Sequence, residues 1–383
     1  INIDPTHDAD AARRNLARGK LHLVPSPRNT NFIKNLLQPE AETFKHPNAM
    51  KSRSALLGLA IAFAATAAQA QTNAVTDPVG YYTHNIVGGA FNLIGTAMFR
   101  AVDYAGKVTG VSGSTITDTN AVFTAGQFTA EASFVEFTGT NLAVQGLWFD
   151  ITSNDTNSIV LDAAPGPYGV VASTPYKVRK HWTLDALYGN PPTGFDGNFD
   201  INAADEVQIY DPISASYTQY YFDGSQWSDL GGNPSGTLVI PPDMGVTVAR
   251  KAASGTNFVV VGNVKVGQTK LAVAGGAFNI SPNVYPVGSP ATNAVTLDTS
   301  GLYTGDPNTG VNSDFDVNTA DEVQFYDPIT ASYTQYYHDG SQWSDLGGNP
   351  SGTVEIPIGS SVTIARKLAG SFNWTAPQPY YAP

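Results

Sequence analysis

The chain has no cysteine among its 383 residues. That excludes disulfides, thiolate metal sites and a lipidated N-terminal Cys. Basic residues are scarce: 20 Lys and Arg stand against 32 Asp and Glu, a formal net charge of −12. Such a chain is a poor partner for nucleic acid or an anionic membrane. Histidine is nearly absent from the main body, with only His84, His181 and His338 beyond residue 70, widely spaced. No G-x-S-x-G, H-E-x-x-H or phosphate-loop pattern occurs. Long 3.6-residue periodicity is missing too, and only Thr183–Tyr188 suggests a helical turn. What remains is rich in Gly, Pro, Thr and Asn with alternating apolar residues, which predicts an all-β protein.

One long apolar run exists, and it lies near the start. Met50 opens it, Lys51 and Arg53 supply positive charge, and Ala55–Ala68 is apolar. Ala68-Gln69-Ala70 ends it as an A-x-A site, so cleavage is expected between Ala70 and Gln71. Residues 50–70 thus read as a secretion signal, and residues 1–49 as an upstream extension outside the native protein. Beyond residue 70 the chain carries 11 Lys and Arg against 27 Asp and Glu, a net charge of −16. No second apolar run follows, so no membrane span is expected after signal removal. Export without disulfides suits a bacterial periplasm, cell surface or extracellular space.

The body is organised around a stretch that occurs twice. Asp205–Thr237 and Asp321–Thr353 differ at three positions only: Ile209/Phe325, Ser214/Thr330 and Phe222/His338. Val207 and Ile209 alternate with polar neighbours as a half-buried strand does. Asp211-Pro212 starts a turn, Tyr217–Phe222 is a second strand, and Gln226–Leu230 a third. Asp223-Gly224 is expected as the two-residue centre of a type I′ hairpin. A buried core explains matched Val207 and Val323, because cores select volume and apolarity. It does not explain matched Gln219, Ser225, Gln226 and Asp229. Two accounts stand: a recent copying event, or a polar-aromatic surface used twice.

Weaker matches extend the repeat. Gly88–Leu93 matches Gly275–Ile280, and Val248–Lys251 matches Ile364–Lys367. From GGAFN to DEV is 117 residues in the first half and 46 in the second, so the first half carries an insertion of about 71 residues. The expected organisation is a first β repeat over 71–100 and 182–252, an inserted small β barrel or sandwich over 101–181, a second β repeat over 253–375, and an extended Pro/Tyr tail over 376–383. Each repeat is expected to be a β sandwich or barrel.

The strings Asp77–Tyr82, GGAFNL, ADEVQ-YDP, YTQYY-DG-W and IP-G-x-x-V-x-x-RK resemble a family of secreted, β-rich, internally duplicated bacterial proteins known from the planctomycete–verrucomicrobia group. Their order is also similar to repeat modules of exported surface proteins of Bacteroidetes-type bacteria, where GWNLIGNPYP-like strings recur. Phe278–Pro286 departs from that string, with Ser281-Pro282 in place of apolar-Gly. The resemblance covers most of 77–379. It implies export and a surface setting, and no reaction.

Three sets of residues could carry chemistry. Asp196, Asn198, Asp200, Asn202 and Asp205 alternate, and Asn312, Asp314, Asp316, Asn318 and Asp321 repeat them. Alternate oxygen ligands are how a loop wraps Ca²⁺, although Ile201 and Val317 stand where an EF-hand loop needs Gly; the other reading is turn chemistry. Tyr217, Tyr221 and Trp227, with Tyr333, Tyr337 and Trp343, are candidate stacking platforms for an extracellular glycan, with the four tyrosines as the outward set; the other reading is cross-strand packing. Asp205-Glu206 and Asp321-Glu322 pair carboxylates, but adjacent strand residues face opposite sides and cannot flank one bond. The expected function is therefore a non-catalytic structural or adhesive surface protein, self-assembling through strand edges or the tail. A carbohydrate-binding module is the alternative.

Overall fold

The computed structural model describes residues 77–96, 98–265, 267–282, 295–356 and 359–376. The 1–49 extension, the 50–70 signal with Ala70 and Gln71, and the tail beyond Ala376 lie outside these residues. The fold is all-β in antiparallel sheets. Among the described residues no helix is long and apolar enough to cross a membrane.

The chain begins with β1 (Val79–Ile86) and β2 (Phe91–Ile94). It then leaves for an insertion: β3 (Val102–Lys107), β4 (Gly110–Ser112), β5 (Thr115–Thr117), β6 (Ser133–Phe137), β7 (Trp148–Asn154), β8 (Ser158–Leu161) and β9 (Pro175–Lys180). These form one sheet in the order β3-β9-β6-β7-β8-β5-β4. Only Val108 and Thr109 separate β3 from β4. Val108 N–H donates to Thr174 O at 2.9 Å on the β9 side, and Thr109 N–H to Thr117 O at 2.7 Å on the β5 side. The two ends of the sheet are therefore halves of one bent strand, and the sheet closes as a barrel. Register shifts at Val102/Tyr104 and Ile151/Ser153 supply the extra curvature that closure needs. The barrel has its own core, with Phe128, Val135, Phe137, Ile159 and Val178 at its centre.

The chain re-enters the first module through β10 (Trp182–Thr183) and α1 (Leu184–Tyr188). Thr183 caps this helix by accepting from Ala186 N–H at 3.2 Å. Then follow β11 (Glu206–Asp211), β12 (Ser216–Phe222), β13 (Trp227–Asp229), β14 (Val239–Ile240), β15 (Val246–Ala249) and β16 (Thr256–Asn263). The second module consists of β17 (Thr269–Val273), β18 (Phe278–Pro282), β19 (Glu322–Asp327), β20 (Ser332–His338), β21 (Trp343–Asp345), β22 (Ser361–Ala365) and β23 (Phe372–Ala376).

Each module packs a two-stranded ribbon, β1–β16 or β17–β23, on a five-stranded sheet. The sheet orders are β13-β12-β11-β15-β2 and β18-β22-β19-β20-β21. Registers agree residue for residue: Gln208 pairs Gln219 as Gln324 pairs Gln335, and Ile86 pairs Thr256 as Val273 pairs Phe372. Val207, Trp227 and Val248 fill the first core, and Val323, Trp343 and Ile364 the second.

The Asp-Gly hairpin takes a different turn from the expected one. Phe222 pairs Trp227, so the connection is Asp223–Gln226, with positive φ at Gly224 (99°) and not at Asp223. The reason is the Asp223 carboxylate, which accepts from Ser225 and Gln226 N–H and from the Ser225 and Ser228 hydroxyls. That clasp holds Asp223 in ordinary backbone and moves the turn one residue on. Burial pushes the carboxyl's pKa up, but these bonds outweigh it and hold it at about 2.

Each sheet's second face is turned to the other module. β11 approaches β18, and reciprocally β19 approaches β2. Gly245 N–H donates to Ile280 O at 2.7 Å, Gly95 N–H to Gly359 O at 3.1 Å, and Ser361 Oγ to Ile94 O at 2.6 Å. Only glycine fits at 245, where a Cβ would lie 2.8 Å from Ser361 Cβ and 2.9 Å from Ile280 Cγ2. Gln208, Thr247, Gln324 and Thr363 are buried on these faces.

Candidate functional site

The matched polar residues have structural employment. Gln208 Nε2 donates to Glu206 Oε2 at 2.7 Å, and Glu206 bridges to Lys251 at 2.5 Å; Gln324, Glu322 and Lys367 repeat the chain at 2.8 Å and 2.8 Å. Asp229 accepts from Gly231 N–H at 2.8 Å and Asn233 N–H at 2.9 Å, clasping the Gly-Gly-Asn loop, and Asp345 does the same. Much of the matched polar chemistry is thus spent within its own module.

This overturns most of the aromatic platform expected for a glycan. Trp227 and Trp343 are core residues at 1% and 2% exposure, and Tyr221 and Tyr337 are buried at 9% and 8%. The tyrosines do lie on the second face, as alternation requires, but that face is covered. Tyr217 and Tyr333 alone keep exposure, at 45% and 41%. Burial raises Tyr333's pKa first, and neighbouring Tyr217 of the other module adds to it.

The acidic ladder is turn chemistry. Asn198 Oδ1 accepts from Asp200 N–H at 2.9 Å, and Asp200 Oδ1 from Asn202 N–H at 3.0 Å. Asp314 and Asp316 accept likewise from Asp316 and Asn318 N–H at 2.8 Å and 3.0 Å. Asn312 gives its N–H to Asp321 at 2.7 Å. Asp205 and Asp321 face inward. Asp205 holds Arg250 and accepts from Asp196 and Lys251 N–H; Asp321 holds Arg366 at 2.5 Å and accepts from Asn312 and Lys367 N–H. Asp196 also meets Arg250, at 3.3 Å. The oxygens expected to converge on Ca²⁺ are thus spent on their own loop and on an arginine. Among the described residues no three His, Asp or Glu side chains are grouped to hold a metal ion.

What these loops display is apolar. Phe199 and Phe315, at equivalent positions within the two ladders, are 87% and 88% exposed. Ile213 and Ile329 stand out at the β11–β12 and β19–β20 turns at 90% and 60%, and Leu230 and Leu346 after β13 and β21 at 61% and 57%. The identical block carries Ile213, Leu230 and their counterparts. The ladder segments that precede it, GNFDIN and SDFDVN, match at Phe, at the following Asp and at the final Asn.

A second feature had no motif. A cleft of about 580 Å³ opens where barrel, first module and second module meet, lined by Tyr168, Tyr210, Asp243, Ser281, Asn308 and Asn373 among others. Tyr168 comes from a 3-10 turn of the barrel (Gly166–Tyr168), and its ring meets Phe149 edge-on at 5.6 Å. Tyr210 ends β11 and leans on Tyr217 at 4.9 Å. Burial pushes Asp243's carboxyl up to about 6, and Asp150 of the barrel adds to the rise. Asp150 also meets His181 at 2.8 Å. Sequence reasoning missed these residues because they come from segments far apart in the chain.

The barrel is fixed beside the cleft by a buried charge cluster. Glu136 meets Arg179 at 3.0 Å and Lys265, on the linker between modules, at 3.2 Å. Burial pushes Glu136 up, but Lys265 and Arg179 outweigh it and hold the carboxyl at about 2. The Phe99 ring lies 5.8 Å from Arg179 and 5.4 Å from Lys265. Gln268 N–H donates to Gln145 Oε1 at 3.1 Å, tying a barrel loop to the start of β17. No family model, no curated protein sequence and no solved structure matches this chain.

Proposed function

We propose that this chain is an exported, non-catalytic structural or adhesive protein of the cell surface or extracellular space. The observation that carries the reading is the pair Phe199 and Phe315, almost fully exposed at equivalent positions. A scattered apolar side chain on a surface needs no explanation. A Phe retained twice in loops that differ at three of six positions (GNFDIN against SDFDVN), on backbone already fixed by Asx turns, is a different case. Fixed display lowers the ordering cost of binding. Two such sites on one chain let it bridge partners, including other copies of itself. The secretion signal and the resemblance to exported surface proteins supply the setting.

Light scattering and negative-stain microscopy of the purified protein test this, together with retention on cell-envelope preparations. Wild type is expected to form concentration-dependent oligomers or to be retained, and the double variant Phe199→Ser/Phe315→Ser to lose both. A compact monomer at every concentration that is also not retained sinks the proposal.

A further inference from the structure

We propose that the cleft between the three bodies binds a neutral oligosaccharide, with Tyr168 and Tyr210 as stacking platforms and the amides of Asn308 and Asn373 as partners for sugar hydroxyls. The site is separate from the strand faces and uses none of the residues of the adhesive reading, so the two stand or fall independently.

Four observations support it. The volume, about 580 Å³, falls within the roughly 300–1,000 Å³ typical of small-ligand sites. The lining mixes aromatic rings with short polar groups, the combination that a sugar's apolar C–H face and hydroxyl rim require. Tyr168 is 49% exposed although its ring meets Phe149 at 5.6 Å, so the ring is held in place while about half of the residue stays open to solvent. Ser281, another lining residue, is 1% exposed and its buried hydroxyl has no hydrogen-bond partner, an uncompensated cost within this wall.

Charge selects among ligand classes. Among the described residues Asp243 is the one charged side chain lining the cleft, and Asp150 lies near enough to raise its pKa further. An acidic wall repels phosphates, sulfated glycans and uronates. Asn308 Nδ2 already donates to Asp306 Oδ1 at 2.8 Å, but a purely apolar ligand would leave the Ser281 hydroxyl unpaired. A neutral sugar satisfies both conditions.

The test is isothermal titration of the full-length protein, with saturation-transfer NMR, against cello-, xylo-, malto-, laminari- and manno-oligosaccharides, with oligogalacturonate as the anionic probe. At least one neutral oligosaccharide is expected to bind at millimolar concentration or tighter, and oligogalacturonate not to bind. Tyr168→Ala is expected to weaken binding about tenfold, while Tyr168→Phe, which keeps the ring, retains it. Asn373→Ala, at an exposed position, provides a second variant should Tyr168→Ala lower the melting temperature. Failure of every neutral oligosaccharide to bind, preference for oligogalacturonate, or undiminished binding in both alanine variants overturns the proposal.

Discussion

In the first module the β1–β16 ribbon turns Val79, Val259 and Val261 outward, at 60%, 49% and 59% exposure. In the second, the β17–β23 ribbon has the same register, and its outward residues include Gln268, Lys270, Ala272 and Asn373. The barrel covers Gln268 and Lys270 through Gln145 and Ala143, while Ala272 and Asn373 form a wall of the cleft. The barrel is inserted in the first module yet seated on the second. One scaffold thus presents an open ribbon carrying Val79, Val259 and Val261 beside Asn85 and Asn257 in one copy, and a ribbon partly covered by the barrel in the other. Register fixes which side chains point outward; only the path of the insertion decides what meets them.

The comparison breaks most sharply at what the modules share. Asp321→Ala leaves Arg366 buried without its counter-charge and is expected to cost roughly 3–5 kcal/mol; Asp205→Ala leaves Arg250 only the exposed Asp196 at 3.3 Å and is expected to cost somewhat less. Urea unfolding measures both. A larger loss for Asp321→Ala means that the clasps alone set module stability; an equal or smaller one means that the barrel's cover supports the second module.

A smaller effect isolates the cover itself. Glu136→Gln leaves Arg179 and Lys265 buried without their carboxylate and is expected to cost about 3 kcal/mol. Hydrogen exchange should show faster opening of β17–β23 amides and unchanged β1–β16 amides. Because Glu136's carboxyl is depressed in the folded state, its contribution is complete above the unfolded carboxyl range and is lost as pH falls toward 2. The wild-type advantage over Glu136→Gln should shrink over that window.

The smallest effect concerns the cleft wall. Asp243's pKa is raised to about 6, so the folded state favours its neutral form. Its stabilising contribution is complete below the unfolded value of 3.8 and is lost as pH rises through 6. Asp243→Asn is therefore expected to be more stable than wild type by roughly 2–3 kcal/mol at pH 8 and nearly equal to it at pH 4. Thermal melts at the two pH values check this.

Much of the fold was legible from local pattern. The period-2 alternation of Val207 and Ile209, the Tyr217–Phe222 strand and the Thr183–Tyr188 helical turn all appear where the sequence puts them. Each rests on interactions spanning a few residues. The Asp223 turn was misread because its carboxylate gathers four bonds, which outweighs the preference of an Asp-Gly pair. The candidate sites were less legible. Alternation placed Tyr221 and Tyr337 on the second face correctly, yet said nothing of what lies against that face. The ladders at Asp196 and Asn312 carry the composition of a cation loop, but side-chain direction sends Asp205 and Asp321 to Arg250 and Arg366, 45 residues away in each case.

The sequence by itself determined that this is an all-β chain with two matching strand sets and a β insertion between them. Period, turn residues and internal identity are encoded in neighbouring positions. Only the tertiary structure decided that the matched polar faces meet each other, that the barrel rests on the second ribbon, and that Tyr168, Tyr210 and Asn373 share one cleft. Alternation gives every strand two faces and leaves both open. Which face is covered depends on residues far away in the chain, brought together when separate cores pack.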